Sequence, residues 1–227
     1  MLKTIRNGSQ GVDVALLQAK LSKDPQIPSI TVDGAFGPKT ESALRRYQSN
    51  HRSLTSDGVA GPKTWGTFPF ITEIRHNVTL RAQTGTMGCW SAAAGMVTGQ
   101  PMSYGPGSAR TGTGGGLRPS LANVETFARE LGWRLHTHQS APAGHAILDA
   151  MRRNPVWIAF EGMHFKHAVV FSAVLSDGTD DGTVFEVKDP WPVGRGTSYA
   201  TGYANRRVTL RSSADRPQAI VAFVLGP

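Results

Sequence analysis

The segment Asp33-Gly34-Ala35-Phe36-Gly37-Pro38-Lys39-Thr40 returns as Asp57-Gly58-Val59-Ala60-Gly61-Pro62-Lys63-Thr64, a spacing of 24 residues. Self-similarity at a fixed spacing implies two copies of one supersecondary unit. In each copy Asp-Gly makes a tight turn and Gly-Pro stops the incoming segment. The proline then sits where a first helical turn tolerates a missing N–H. After the first copy Ala43, Leu44, Tyr47 and Gln48 fall at helical spacing, as do Val14, Leu17 and Leu21 upstream. Residues 1-70 are therefore expected to form a small all-α module of three helices.

Residues 69-78 read as a short connector, and the remainder is long enough for one further domain. Cys89 to Val97 is small and apolar, as a helix in a domain centre would be. Ser120 is placed to cap a second helix with the stripe Leu121, Val124, Phe127, Ala128 and Leu131, ended by Gly132. Residues 146-154 make a third. After Pro155 the texture is strand-like at 156-160, 167-175, 183-188, 207-211 and 219-224, with Asp-Gly turns at Asp177 and Asp181 joining two runs as a hairpin. Helices followed by an antiparallel sheet predict an α+β fold, divided into 1-70 and 71-227. The short connector leads to the further expectation that 71-227 folds without 1-70.

No apolar run approaches the roughly 20 residues of a membrane span. The first residues lack the apolar core of a Sec signal peptide, so a Sec-independent export route is expected. The net charge of +8 divides as nine basic and five acidic residues in 1-70, and fifteen and eleven in the rest. Each part thus carries +4 with no dense basic run, which does not predict a nucleic-acid footprint. With one cysteine there is no intramolecular disulfide and no Cys-based zinc cluster. No metal or other cofactor is expected.

Cys89 stands at the expected N-terminus of its helix, where partial positive charge and free N–H groups favour a thiolate. Its bland alternative is a small core hydrophobe. Gln83, six residues earlier, is near enough to receive an oxyanion together with the Cys89 N–H, although a loop glutamine alone is uninformative. His167 opens an apolar strand, where a base would face the cysteine helix across a cleft. Asp189 closes the next strand and, through the hairpin, can accept the second imidazole N–H. His164 is an alternative base, but precedes the strand. His136 and His138 read as the outer face of a strand, the Asp177, Asp180 and Asp181 cluster as a solvated hairpin, and 111-116 as a glycine-rich lip of the cleft.

Two resemblances follow from these motifs. Gly8-Ser9-Gln10-Gly11-Val12-Asp13-Val14, the Leu17-Gln18-Leu21 spacing, the two Asp-Gly repeats and Trp65 together resemble the bacterial peptidoglycan-binding domain of the three-helix type, over residues 3-68. That likeness implies affinity for cell-wall glycan or stem peptide, with Asp33, Phe36, Tyr47, Asp57 and Trp65 around the candidate groove. The alternative reading makes the three rings core and the two aspartates turn-formers. The Gln83-x5-Cys89-Trp90 spacing, the His167 strand start and Asp189-Pro190-Trp191 resemble compact bacterial papain-like cysteine peptidases: leader-cleaving domains of bacteriocin exporters and effector proteases. This implies Cys89 as nucleophile, His167 as base and then acid, Asp189 as orienter and Gln83 as oxyanion donor.

Three functional classes accommodate both parts: a protease effector or toxin, a wall hydrolase cutting stem peptides, and a non-catalytic docking adaptor. The protease ranks first, since the catalytic likeness is to protein-cleaving branches. The expected partners are a protein or peptide substrate, peptidoglycan, and an immunity protein restraining the enzyme in the cytoplasm of the producer before specialised secretion into a target cell. Neither nucleic acid nor a membrane span is expected.

Overall fold

The computed structural model describes residues 2-69, 71-102, 115-118, 120-138, 141-162, 165-210 and 219-227. Three helices come first: α1 (Val12–Lys23), α2 (Pro38–Asn50) and the single turn α3 (Pro62–Trp65). Pro38 and Pro62 both occupy the first turn of their helices, as the repeat requires. Gly34 and Gly58 take φ of +68° and +71° at the two Asp-Gly turns, a left-handed conformation that side chains disfavour.

The rest is built on one antiparallel sheet. Its strands are β1 (Thr72–Arg75), β2 (Arg134–His138), β3 (Val156–Gly162), β4 (Phe165–Ser176), β5 (Thr183–Asp189), β6 (Thr197–Gly202), β7 (Arg207–Val208) and β8 (Ala219–Gly226). The spatial order is β2-β8-β3-β4-β5-β6, with β1 beside β4 and β7 beside β8. Helices α4 (Cys89–Thr98), α5 (Leu121–Glu130) and α6 (Gly144–Ala150) complete the α+β fold. Ser120 does precede α5, but its side chain makes no capping hydrogen bond.

Three expectations need correction. The stretch read as a connector contains β1, which pairs antiparallel with β4 from Thr72 opposite Ser176 to Arg75 opposite Ala173. Its alternation is too short to stand out in the sequence; the open flank of β4 beyond the end of β3 selects it. Strands also do not wait until after the helices, since β1 precedes α4 and β2 precedes α6. Finally, 71-227 does not stand apart from the N-terminal module. Every residue of α1 from Val12 to Leu21 is buried. One apolar cluster joins Val14, Leu17 and Leu21 to Ala173, Leu175, Val184 and Ala200 of the sheet.

Polar contacts reinforce that junction. Lys20 Nζ lies 2.5 Å from Asp177 Oδ2 at the β4–β5 turn, and Lys23 Nζ lies 3.1 Å from the same oxygen. Arg75 of β1 pairs with the buried Asp13 of α1 at 2.8 Å. Gly34 approaches so closely that a Cβ there would lie 2.8 Å from the Ala200 Cβ.

Candidate active site

Cys89 is the first residue of α4 and a partly buried free thiol. The N-terminal N–H groups of a helix have no intrahelical acceptor, and neither a Gly88 side chain nor an acidic first-turn residue competes for them here. Small residues let α4 sit close to the sheet: Ala93 and Ala94 are buried in one cluster with Trp90, Trp157, Ala168 and Val170. Trp157 Nε1 donates to the Trp90 carbonyl at 3.0 Å, tying the first turn of α4 to β3.

His167 lies near the start of β4, opposite Phe160 of β3. Its Nε2–H donates to Asp189 Oδ1 at 2.7 Å. Asp189 is the last residue of β5 and fully buried, and the same oxygen accepts the Trp191 N–H at 2.8 Å. With Nε2 engaged, Nδ1 is the nitrogen left for the thiol, and Cys89 is among the groups that raise the His167 pKa. Burial alone would lower the His167 pKa, but the bond to Asp189 and the contact with Cys89 outweigh it and raise it to about 10. The arrangement can hold a proton on the imidazole beside a sulfur nucleophile.

Gln83 is buried, and its backbone is stitched to the loop after Asp189. Its N–H donates to the Pro190 carbonyl at 3.0 Å, and its carbonyl accepts the Gly194 N–H at 2.9 Å. Its side-chain Nε2 donates to the Gly85 carbonyl at 2.6 Å, while Oε1 has no protein partner. A Cβ built on Gly88 would lie 3.5 Å from the Gln83 Cβ, so the side chain starts beside the residue preceding Cys89. The structure thus gathers Gln83, Cys89, His167 and Asp189 from four segments. The Trp191 N–H was not singled out by sequence reasoning, because a backbone donor leaves no residue-type signal.

In the N-terminal module, Gln18 reaches from α1 into the first Asp-Gly turn. Its Oε1 accepts the N–H groups of Asp33 and Gly34 at 2.9 and 2.8 Å, and its Nε2 donates to Asp33 Oδ1 at 2.8 Å. Gln48 repeats this from α2, accepting the Gly58 N–H at 2.9 Å and donating to Asp57 Oδ1 at 3.0 Å. Residues 10–67 match a family described as "Putative peptidoglycan binding domain". This module is a peptidoglycan-binding domain. No curated protein and no solved structure matches the chain.

Within the peptidoglycan-binding domain, Phe36, Tyr47 and Trp65 are buried. Tyr47 Oη is bonded to Thr67 Oγ1 at 2.9 Å, and Trp65 Nε1 donates to the Lys3 carbonyl at 2.9 Å. Asp33 and Asp57 each accept an N–H two residues on, from Ala35 at 2.8 Å and Val59 at 2.9 Å. All five expected groove residues therefore hold the domain together, and the three rings leave little open surface. The two glutamines that organise both loops carry a sequence signal, one glutamine ahead of each Asp-Gly, which gained meaning only with the contacts.

Elsewhere, His136 is partly buried and its pKa is lowered by burial and then by Arg134, while His138 stacks on Phe223 at 4.6 Å. Asp177 is engaged by Lys20, Lys23 and Thr179. Among the described residues no group of His, Cys, Asp and Glu could hold a metal, and no helix is long and apolar enough to cross a membrane. His164, residues 111-114 of the glycine-rich stretch and Arg211 of the strand expected at 207-211 lie outside the described residues.

Proposed function

We propose that the chain is a papain-like cysteine peptidase, a bacterial effector that cleaves peptide or protein amide bonds. The observation that carries this reading is His167, bonded through Nε2 to the buried Asp189 and held protonated by that bond together with the influence of Cys89. His167 takes the Cys89 proton, and the sulfur attacks the carbonyl carbon. The oxyanion forms within reach of the Cys89 N–H and the Gln83 side-chain amide. As the C–N bond breaks, His167 returns the proton to the leaving amine. Water then attacks the thioester with His167 as base, the C–S bond breaks, and the thiolate–imidazolium pair is restored.

A second reading, a wall hydrolase cutting stem peptides, is favoured by the peptidoglycan-binding domain. Holding the enzyme on a polymeric substrate would raise its effective concentration there. Either role calls for restraint in the cell that makes it, and a partner protein occluding the Cys89–His167 cleft would supply it. The test is to incubate wild type and Cys89→Ala with isolated sacculi and, separately, with a bacterial lysate. Proteins cleaved by wild type alone support the effector protease, and muropeptides released by wild type alone support the wall hydrolase. Identical traces for both proteins on both substrates would sink the hydrolase reading.

A further inference from the structure

Among the described residues the exposed large hydrophobics are Met87, Leu121 and Val193, at 49%, 39% and 40% exposure. Isolated apolar residues on a surface are ordinary. The placement of two of these is not. Met87 lies two residues before Cys89, and Val193 four residues after Asp189. Their loops are the pair stitched together through the Gln83 backbone, to the Pro190 carbonyl and from the Gly194 N–H. A third segment closes on Met87: a Cβ on Gly116 would lie 2.5 Å from Met87 Cε and 3.7 Å from its Cβ. That segment is anchored by Trp90 Nε1, which donates to the Gly115 carbonyl at 3.0 Å. A side chain at Gly116 would displace the flexible end of Met87, so this segment borders the methionine directly.

We infer that Met87 and Val193 form an apolar rim to the Cys89 cleft and select peptide substrates with an uncharged apolar side chain next to the cleaved amide. The inference rests on the peptidase reading and names its substrate class. A side chain seated on the rim removes its own apolar surface and that of Met87 and Val193 from water, which is favourable on both sides. A charged side chain there would lose hydration with no partner on either residue. The methionine thioether is flexible and polarisable, so the rim accepts leucine, methionine or phenylalanine without demanding one shape.

The test uses the full chain and a set of fluorogenic peptides identical except for Leu, Asp or Lys at the residue on either side of the cleaved bond. Wild type is expected to cleave a Leu peptide about 10-fold or more faster in kcat/KM than its Asp and Lys counterparts, the scale of discrimination available to one apolar contact. Met87→Asp and Val193→Asp should each reduce the Leu rate and raise the Lys rate, reversing the preference, with unchanged thermal midpoints because both sites are exposed. Equal wild-type rates on Leu, Asp and Lys peptides, or a Leu preference unmoved in both variants, overturns the inference while leaving the peptidase reading standing. Peptides that wild type and Cys89→Ala leave equally intact would overturn the peptidase reading, and the rim with it.

Discussion

His167 carries the most perturbed chemistry of the candidate site, and its protonation can be followed directly. Its pKa in the folded chain, about 10, is above the ordinary 6.5 because the Asp189 bond and the Cys89 contact outweigh burial. Below pH 6.5 the imidazole is charged whether the chain is folded or not, and its contribution to stability is fully present. Between 6.5 and 10 the unfolded chain releases the proton that the folded chain keeps, so stability falls as pH rises through this window. Asp189→Asn removes the carboxylate, and the slope of the thermal midpoint against pH over this window should flatten. Imidazole NMR titration should show the His167 pKa moving down in that variant. An unchanged titration would show that the Asp189 bond does not set the charge of the ring.

The element that arranges the site is β4, which must face two sets of helices along one edge of its length. Side chains alternate along a strand, so Ala168 and Val170 would share a face with residues 172 and 174. The pairing with β5 shifts between Phe171 and Ala173, leaving Ser172 as the extra residue of a bulge. After it, Ala173 and Leu175 join the cluster of α1, while Val174 remains with Val169 and Phe171. One strand thereby supports α4 at one end and α1 at the other. Insertion of one residue between Glu186 and Val187 gives Ser172 a partner on β5 and should return β4 to plain alternation, turning Ala173 and Leu175 away from α1. The expected outcome is loss of cooperative thermal unfolding, whereas Ser172→Ala should retain it. A fully folded, active insertion variant would refute the bulge as the organising feature.

At the scale of the whole molecule, the peptidoglycan-binding domain is a layer of the fold. Lys20 is 5% exposed and Asp177 11% in their side chains, so their ion pair is nearly dry. Burial would raise the Asp177 pKa, but hydrogen bonds from Lys20, Thr179 and Lys23 hold it well below the usual carboxylate range. This contribution is present above the ordinary value of 3.8 and is lost as pH falls through the lowered one. Asp177→Ala leaves a buried ammonium without its partner, at a cost of about 3 kcal/mol, readable in urea unfolding as one transition moved to lower denaturant. A chain lacking residues 1-70 exposes Ala173, Leu175, Val184 and Ala200 together and should be insoluble or lack a cooperative transition. A soluble truncated chain that melts like the parent would show the two parts to be independent.

Local physics made much of this chain legible. The Asp-Gly and Gly-Pro repeat states its turns and helix starts outright, because φ preferences and the missing proline N–H act within a few residues. The apolar periodicity of 121-131 and the apolar runs of β3, β4, β5 and β8 likewise declare themselves, and Cys89, His167 and Asp189 fall where strand ends and a helix start put them. Other features depend on partners distant in sequence. β1 is four residues long and forms because β4 has an unpaired flank. α1 reads as an ordinary module helix, yet it is buried all round because a sheet formed from residues more than 140 positions later covers it. The rings of Phe36, Tyr47 and Trp65 could have been a groove or a core. Composition does not distinguish the two, since the same apolar surface serves either; only the packing of the helices against one another and against the sheet decided where that surface went.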